Sequence, residues 1–508
     1  MKRMGGATLC FRYPQLRDCA KKECPLNNGE SSYRMEYEAV IGLETHVQLR
    51  TQSKMWCGCP NQYGSDPNTN VCPVCLGMPG SLPVPNEEAL KQTALAGMLL
   101  NCDIPARAKF DRKNYFYPDA AKDYQISQFE LPSNVGGYVE FEFEEGIQRV
   151  ELNRAHLEED VGKSFHFDKF SGVDFNRAGV PLLEIVTEAC ITSADMAYEY
   201  LNALKDILIY GGVSDCDMEK GMVRCDVNVS VRPKGSTELG GKIEIKNMNT
   251  FSGARKALEH EIERQIEDVT NGKTIPQSTR RWDDVAEITE EMRSKESAHD
   301  YRYFPCPDLM PLEPSEDWLA DVRTRIVELP LARKQRFVKD YGIPEGDAET
   351  FKNDVPLGDY FEGIAKDAKN PKGVANLVIN NLRAKLSETE TDLASLKFEP
   401  SAVVQLVELM DSGKISSKIA QDTFVLMFKN GGSPKAIVEE KGWVQESDED
   451  ALGAWCDEAI AANPGPAEDF RNGKEAAINR IMGNVMKLSK GKANPGAVVQ
   501  MLKDKLKC

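Results

Sequence analysis

The sequence lacks several signals that would assign a chain to a class at first reading. No run of eighteen apolar residues occurs, so there is no candidate membrane span. There is also no Walker-type phosphate loop, no glycine fingerprint for dinucleotides, and no serine or cysteine nucleophile motif with a convincing partner. If the chain uses ATP, we therefore expect metals and arginines on a sheet to hold it.

The composition is that of an ordinary soluble protein. Of 508 residues, 41% are hydrophobic and 28% are charged, and the length corresponds to roughly three domains. The 63 basic and 80 acidic residues give a net charge of −17, which argues against sequence-independent coating of nucleic acid. A local basic face for RNA remains compatible with this charge.

The N-terminal segment differs from the rest of the chain. Residues 1–34 lack the apolar core of a secretory signal, and Asp18, Glu23 and Glu30 are acids that transit peptides avoid. We interpret it as a disordered extension, or as the product of a start codon upstream of Met35. Fourteen cysteines without a secretory signal indicate a reducing compartment. The predicted location is cytoplasmic, with an organelle as the alternative if the segment is a transit peptide.

Two close cysteine pairs are the most informative local pattern, and they are Cys57, Cys59, Cys72 and Cys75. Each pair can offer two thiolates from one turn, and the turn-rich loop between the pairs lets them converge on a tetrahedral zinc ion. Such a site would be structural. The alternatives are a redox pair, or buried thiols that never meet.

Periodicity predicts an α+β protein with a mostly antiparallel sheet. Period-two alternation predicts strands over 37–49, 139–143, 222–232 and 242–246. Helical spacing predicts helices over 87–100, 193–210 and 254–269. The pattern changes along the chain and predicts these units: an extension over 1–36, an α+β domain over 37–314 with the zinc knuckle at 57–75, a helical domain over 315–398 and a helical tail over 399–508.

Acids and histidines form the first candidate site. Glu44 and His46 alternate with apolar residues, so a strand would turn both to one face. His156 precedes three consecutive acids, Glu158, Glu159 and Asp160. Glu184 interrupts the apolar run 180–186 and could point opposite to its neighbours, towards a polar cavity. Such ligands suit Mg²⁺ or Mn²⁺. A solvated strand face and an exposed acidic turn are the alternatives.

The segment 222–232 has one apolar face and one face of varied polar groups. The polar positions are Arg224, Asp226, Asn228, Ser230 and Arg232. Two arginines, an acid and an amide are typical of a site that holds phosphates and a metal. Lys242, Glu244 and Lys246 alternate in the same way, as a neighbouring polar strand or a surface strand.

Basic residues interleaved with aromatics occur in two segments, 109–118 and 299–304. They could grip a nucleotide or an RNA end by stacking and charge, or the aromatics could pack in the core.

These segments, read in order, resemble the B subunit of the tRNA-dependent amidotransferases, the GatB family. The resemblance runs from about Tyr37 to the C-terminus. It is carried by these motifs: 40–49 (VIGLETHVQL), 67–80, 109–119 (KFDRKNYFYPD), 124–128 (YQISQ), 156–160 (HLEED), 176–184 (NRAGVPLLE), 224–230 (RCDVNVS), 300–305 (DYRYFP), 413–418 and 490–495.

The resemblance implies a fold similar to that of glutamine synthetase, followed by helical domains. It implies that Glu-tRNA(Gln) or Asp-tRNA(Asn) is activated with ATP and Mg²⁺ by phosphorylation of the side-chain carboxylate, and that ammonia then displaces phosphate. The expected partners are a glutaminase (amidase) known as the A subunit, which releases and channels ammonia, a small C subunit that completes a heterotrimer, the mischarged tRNA, and the non-discriminating aminoacyl-tRNA synthetase. No membrane partner is expected.

The same resemblance implies roles for individual residues. The metal-site region matches Glu44, His46, Glu158, Glu159 and Glu184, and we expect Glu159→Ala to abolish amide formation. The cysteine quartet matches a structural zinc site. The candidate contacts to ATP come from the polar face of 222–232 and not from the resemblance, and they are Arg224, Asp226, Asn228 and Arg232. The resemblance of the tail implies candidate contacts to tRNA at Lys414, Lys418, Lys487, Lys490 and Lys492.

The departures from the family pattern are modest. Thr45 replaces a common valine, and Cys306 stands where an acid is common. A non-catalytic tRNA-binding scaffold and a free-standing carboxylate–amine ligase are the competing hypotheses. The acidic set argues against the first, and the tail argues against the second.

Overall fold

The computed structural model describes residues 36–246, 248, 250–294, 301–444, 449–489 and 493–507. Nearly all of the predicted extension therefore lies outside the described residues. So do Lys490 and Lys492 of the candidate tRNA contacts.

The strands are β1 (Tyr37–Gln48), β2 (Asp111–Asn114), β3 (Tyr124–Ser127), β4 (Asn134–Val135), β5 (Tyr138–Phe143), β6 (Gly146–Glu159), β7 (Lys163–His166), β8 (Ser171–Asp174), β9 (Pro181–Thr187), β10 (Val223–Pro233), β11 (Ile243–Lys246), β12 (Ser278–Asp283), β13 (Ile288–Ser294) and β14 (Phe304–Pro305).

The helices are α1 (Glu87–Leu99), α2 (Ala194–Tyr210), α3 (Phe251–Thr270), α4 (Glu316–Arg323), α5 (Pro330–Tyr341), α6 (Glu345–Asn353), α7 (Val355–Ala365), α8 (Pro371–Leu377), α9 (Arg383–Thr389), α10 (Ser401–Asp411), α11 (Ser417–Asn430), α12 (Pro434–Glu440), α13 (Glu449–Ala462), α14 (Pro464–Arg471), α15 (Ile478–Leu488) and α16 (Pro495–Lys507). Among the helices described, none has the length and apolarity to cross a bilayer.

A nine-stranded sheet is the centre of the fold. Its strand order is β13, β12, β11, β10, β1, β9, β6, with β4 and β5 both paired to β6. Of the strand pairs described in this sheet, only β11 and β12 run parallel. A three-stranded sheet, β14-β2-β3, and the hairpin β7-β8 accompany it. The prediction of an α+β fold with a mostly antiparallel sheet is confirmed.

The two faces of the central strands differ as their sequence alternation predicts. In β10 the odd positions from Val223 to Val231 are buried, whereas Arg224, Asp226 and Asn228 on the other face are partly exposed. α2 and α3 pack on the apolar side, because both helices are amphipathic and add to the same core. The polar side of β1, β9 and β10 is left to carry the candidate site.

In the part of the chain that the structure describes, buried hydrophobic residues form three separate cores. The first contains residues between Ala39 and Val322, the second residues between Phe337 and Val438, and the third residues between Leu452 and Leu506. The predicted boundary between the helical and tail domains falls inside the second core, to which Phe398 contributes. The domain limits inferred from the sequence stay a prediction.

Candidate active site

A row of titratable side chains crosses three neighbouring strands. The antiparallel register places His46 of β1 opposite Glu184 of β9, and Glu184 opposite His156 of β6. On the other side of β1, Arg224 of β10 is opposite His46. Residues opposite each other in adjacent strands share a face, so the row is a direct consequence of register.

The centre of this row is a compact cluster of nitrogen and oxygen donors. His46 Nε2 lies 3.4 Å from Glu184 Oε2 and 3.7 Å from Glu158 Oε1, and His156 Nε2 lies 3.4 Å from the same Glu184 oxygen. One donor atom each from His46, Glu158 and Glu184 lies within 4.8 Å of the other two. Two buried carboxylates beside an imidazole fit a divalent cation, which would neutralise them.

The side chains of the cluster change one another's pKa values. Burial lowers the pKa of His46, but the hydrogen bond to Glu184 and the charges of Glu184 and Glu158 outweigh it, so the pKa is raised. Burial raises the pKa of Glu184, yet the charge and hydrogen bond of His156, together with His46, hold that pKa well below its usual value. Glu184 is therefore ionised and available as a ligand.

A lysine from a separate sheet enters the same site. Lys113 Nζ of β2 lies 3.7 Å from Glu158 Oε2 and 5.3 Å from the centroid of the Tyr301 ring. Burial lowers the pKa of Lys113, but the charges of Glu158 and Glu184 raise it more strongly, so the ammonium form is retained. Ser127 Oγ of β3 donates to the same Glu158 oxygen at 3.2 Å. The two aromatic-basic segments therefore meet here, at the cluster.

Glu159 is next to Glu158 in the chain but lies apart from the cluster. It points to the other face of β6, where it forms an ion pair with Lys122 and accepts a hydrogen bond of 2.8 Å from Ile126 N. Lys122 in turn packs against Gly77 of the cysteine-rich loop, where no Cβ would fit. Its placement indicates that Glu159 braces β6 and does not complete the donor set.

Glu44 is on the cluster's face of β1, two residues before His46. It accepts a hydrogen bond of 2.9 Å from Asn228 Nδ2 and is opposite Asp226 in the register. Asp226 accepts from Lys246 Nζ at 2.8 Å. These side chains extend the polar surface beyond the cluster, along the direction of the strands.

The two candidate phosphate arginines differ in position. Arg224 Nη2 donates to Asp160 at 3.0 Å, and Gln48 Nε2 donates to the same carboxylate at 3.1 Å, so Arg224 borders the cluster. Arg232 pairs with Glu38 at 2.6 Å, eight residues further along β10. The usual strand rise puts it about 26 Å from Arg224. The structure does not bring Arg232 to the same site.

The four candidate zinc ligands converge. One sulphur each from the quartet lies within 4.8 Å of the other three: Cys57, Cys59, Cys72 and Cys75. Hydrogen bonding from Cys57 and from Cys72 N lowers the pKa of the Cys75 thiol to about 4, whereas burial raises that of Cys59 to about 11. Four converging thiols are the donor set of a closed structural zinc site, so the residues fit the predicted ion.

The candidate tRNA contacts that the structure describes are all exposed or partly exposed, and they are Lys414, Lys418 and Lys487. The loop before Lys414 touches the start of α16, because Asn494 Nδ2 donates to Gly413 O at 3.2 Å.

Sequence reasoning did not assign three members of the site, which are Lys113, Ser127 and Lys122. It noted His156 beside the acids but gave it no role towards Glu184. These three reach β6 through contacts between residues 31 to 45 positions apart in the chain, which a single sequence does not encode locally.

Known families match most of the chain. The GatB/GatE catalytic domain matches residues 39–320 and the GatB domain matches residues 359–506. A relative from Carboxydothermus hydrogenoformans is 50% identical over 476 residues, which is 93% of this chain and 99% of the relative. Relatives from Thermoanaerobacter sp. and Methylacidiphilum infernorum are 48% and 49% identical; both alignments span 93% of this chain, and 100% and 99% of the relatives. All three relatives are named as the B subunit of an aspartyl/glutamyl-tRNA(Asn/Gln) amidotransferase.

Proposed function

Since this chain belongs to the GatB family, we propose that it is the B subunit of a tRNA-dependent amidotransferase that amidates Glu-tRNA(Gln), Asp-tRNA(Asn) or both. The chain activates the side-chain carboxylate of the aminoacyl group. A carboxylate oxygen attacks the γ-phosphorus of ATP and ADP leaves. Ammonia then attacks the acyl carbon, phosphate leaves with the bonding electrons, and the nitrogen loses a proton to give the amide.

The observation that carries this proposal is the buried set of His46, Glu158 and Glu184, whose donor atoms lie within 4.8 Å of one another. These residues would hold Mg²⁺, which when bound supplies a positive charge opposite the phosphoryl oxygens. A scaffold without chemistry would gain little from two carboxylates buried this close together, because burying charged groups is unfavourable even when basic side chains offset part of the cost.

Residues around the cluster supply fixed positive charge for the same transfer. Lys113 holds an ammonium group beside Glu158 and makes a cation–π contact with the Tyr301 ring. Arg224 is anchored by Asp160 with its side chain still 41% exposed, so it can donate to a phosphate oxygen without losing that anchor. Charges that are positioned before the reaction stabilise the transferring group without reorganisation.

His156 has a positioning role towards Glu184. Its Nε2 faces the Glu184 oxygen that also faces His46, and its Nδ1 is buried without a hydrogen-bond partner among the described residues. With Nε2 protonated, the ring donates to Glu184 and fixes which carboxylate oxygen turns to the cluster. The orientation of Glu184 is thereby set before any substrate binds.

The remaining parts support assembly. The cysteine quartet would hold structural Zn²⁺ next to the Lys122–Glu159 pair, and the tail lysines would contact phosphates of the tRNA. The name of the relatives indicates a multisubunit enzyme. We propose a heterotrimer in which a glutaminase is the A subunit and a small protein is the C subunit, acting beside the non-discriminating synthetase in the cytoplasm.

The first experiment is amide formation by the purified complex. It would receive ATP, Mg²⁺ and either Glu-tRNA(Gln) or Asp-tRNA(Asn), with ammonium as nitrogen donor so that glutamine hydrolysis is bypassed. Turnover that requires both ATP and the mischarged tRNA supports the proposal and reveals the specificity. Tight tRNA binding without ATP consumption would favour a scaffold, and turnover without tRNA would favour a small-molecule ligase.

A matched pair of variants assigns the activity to the cluster. We expect Glu184→Gln to reduce amide formation by about 100-fold or more, because it removes a charged donor from the centre of the row. Glu188→Gln, one residue beyond the same strand and exposed, is the control and should retain activity. Equal activity of the two variants would contradict the assignment.

A further inference from the structure

The rings of Phe129, Tyr301 and Tyr303 form an aromatic wall beside the cluster. Phe129 and Tyr303 are stacked, with their ring centroids 4.3 Å apart and their planes inclined by 6°. Tyr301 meets Tyr303 close to edge-on, with the centroids 6.0 Å apart. Phe129 keeps 36% of its surface exposed, and both tyrosines are partly exposed. The wall is therefore open to a ligand, and the proposed function gives its open surface no role.

The aromatic wall adjoins the donor set of the cluster. Lys113 Nζ lies 5.3 Å from the centroid of the Tyr301 ring and 3.7 Å from Glu158 Oε2. Burial raises the pKa of Tyr303 to about 12, and the charges of Glu184 and Glu158 contribute to this rise. Tyr303 is therefore within electrostatic reach of both carboxylates. A ligand on the wall would lie next to the cation that those carboxylates can hold.

A strained turn holds the two tyrosines of the wall in place. Arg302, which lies between them in the chain, has a φ of 45°, a conformation that residues other than glycine rarely adopt. Asn114 Nδ2 of β2 donates to Tyr301 O at 2.9 Å and to Arg302 O at 2.8 Å, and these two bonds stabilise the turn. Backbone strain persists where the surroundings enforce it, and it is concentrated at functional sites. The wall is therefore positioned before a ligand binds.

Arg154 is a cation without a carboxylate partner at the edge of the wall. Its Cζ atom lies 5.9 Å from the centroid of the Phe129 ring. Among the described residues it makes no ion pair, and its Nε is buried without a hydrogen-bond partner. Arg154 lies two residues before His156 in β6, so both side chains are on the same face and are separated by about 7 Å along the strand. An anionic ligand group beside the cluster would supply the missing partner.

The wall and the candidate phosphate arginine Arg224 lie on opposite sides of the cluster. Arg224 belongs to β10, on the far side of β1 from β9 and β6. Phe129 follows β3 and Tyr303 precedes β14, in the small sheet that contacts Glu158 of β6 through Ser127. In phosphoryl transfer the attacking and leaving oxygens are roughly in line. Since the proposed function places phosphate oxygens of ATP at Arg224, the attacking carboxylate arrives from the side of the wall.

We propose that the aromatic wall and Arg154 bind the 3′-terminal nucleotide of the aminoacyl-tRNA, with the base stacked on the wall and the phosphate paired with Arg154. The proposal rests on the proposed function, which requires this tRNA. Aromatic rings stack on every base, so they suit an end that different tRNA substrates share. The aminoacyl ester is on the ribose of that nucleotide, so holding the nucleotide brings the side-chain carboxylate to the cluster.

The test removes the nucleotide and the protein groups in combination. The affinity of the purified complex would be measured for the uncharged form of the tRNA that supports amide formation, and for the same tRNA lacking its 3′-terminal nucleotide. The ratio of the two affinities is the truncation penalty. We expect this penalty to be about tenfold for the unmodified complex. Phe129→Leu and Arg154→Gln should each reduce it to less than about threefold, because each variant has already lost a contact that the truncation removes.

Two features of the test protect the result against misfolding. A variant that is merely less stable binds both tRNAs more weakly and keeps the truncation penalty, because the penalty compares two ligands on one protein. Phe165→Leu is the matched control. Phe165 is 39% exposed and has Lys163 Nζ 5.0 Å from its ring centroid, but it belongs to β7, outside the wall. We expect this control to keep the full penalty.

The outcomes separate this proposal from the proposed function. A truncation penalty that stays at about tenfold in both variants would overturn the terminal-nucleotide site, and weaker ATP binding by the same variants would then assign the wall to ATP. A penalty below about twofold in the unmodified complex would also overturn the site. In each of these cases, amide formation by the unmodified complex would leave the proposed function standing. Absence of amide formation that depends on tRNA and ATP would overturn both.

Discussion

Glu158 and Glu159 are consecutive residues of one strand, yet their carboxylates have different surroundings. Glu158 faces His46 and Lys113, and Glu159 faces Lys122 and the backbone N–H of Ile126. Since neighbouring strand residues point to opposite faces, the two acids serve opposite sides of the sheet. One belongs to the cluster and the other joins the strand to the cysteine-rich loop.

Because the two acids lie on opposite faces, we expect Glu158→Gln to reduce mainly activity and Glu159→Gln to reduce mainly stability. Glu158→Gln should reduce amide formation by about 100-fold or more. Its free energy of unfolding should fall by less than that of Glu159→Gln, because the charge of Glu184 still faces Lys113. Glu159→Gln should lower the free energy of unfolding by about 3–5 kcal/mol, because it leaves Lys122 without its buried partner. Urea unfolding and an activity assay on both variants are the measurements. Loss of activity in a fully stable Glu159→Gln protein would restore Glu159 to the donor set.

The cysteine quartet predicts one tightly held zinc ion per chain. Cys75→Ser should remove nearly all zinc detected by mass spectrometry and lower the thermal midpoint, because four thiolates are needed to close the tetrahedral site. Cys190→Ser is the control, since that thiol lies outside the quartet. Zinc retained by Cys75→Ser at one equivalent would show that the quartet does not bind it.

Glu261 predicts a pH-dependent contribution to stability. Burial raises the pKa of Glu261, but hydrogen bonds from Arg264, Thr289 and Gln265 together lower it by more. The pKa in the folded chain is therefore below the ordinary 4.5. The folded state therefore binds fewer protons, and the stabilisation is complete above about pH 4.5 and lost as the pH falls through the folded value.

Glu261→Gln should therefore be less stable than the unmodified chain at pH 7 by about 2 kcal/mol, and the difference should shrink below about pH 4.5. Urea unfolding at several pH values is the measurement. Glu263→Gln changes an acid on the same helix that faces away from the core and should show no such difference. A difference that grows on acidification would contradict the assigned direction.

The tail lysines predict a salt-dependent effect on tRNA binding. Lys414→Gln and Lys418→Gln should each reduce the slope of log affinity against log salt by about 1, because each removes one phosphate contact. Turnover at saturating tRNA should be unchanged. Lys385→Gln is the control, because Lys385 is already paired with Glu388. An unchanged slope in both tail variants would place the tRNA elsewhere.

Local patterns predicted the elements, and long-range pairing determined the site. The seven predicted elements match the structure to within three residues at each end, because alternation and capping are local: Ser193 and Thr250 cap α2 and α3 through their hydroxyl groups. The position of Glu159 followed from the same alternation but was missed, because Glu158 and Glu159 were assigned together to one metal site. β6 runs through Glu159, and this fact depends on its pairing with β9.

The contribution of Lys113 could not be predicted in this way. It reaches Glu158 because β2 pairs with β3, and Ser127 and Ile126 of β3 bond to Glu158 and Glu159 of β6. Nothing within a few residues of Lys113 encodes that approach. The sequence indicated only that the segment around Lys113 is basic and aromatic. Tertiary packing determines that Lys113 contacts the carboxylate of Glu158.

The register of β9 links the candidate active site to correct folding. Glu184 faces the imidazoles, and its neighbours Leu183 and Ile185 are fully buried on the opposite side. A slip of one residue would turn a leucine or isoleucine towards the histidines and drive the carboxylate into hydrocarbon. A misaligned chain would lose both its stability and its donor set, so we do not expect a form of the protein that is stable but inactive.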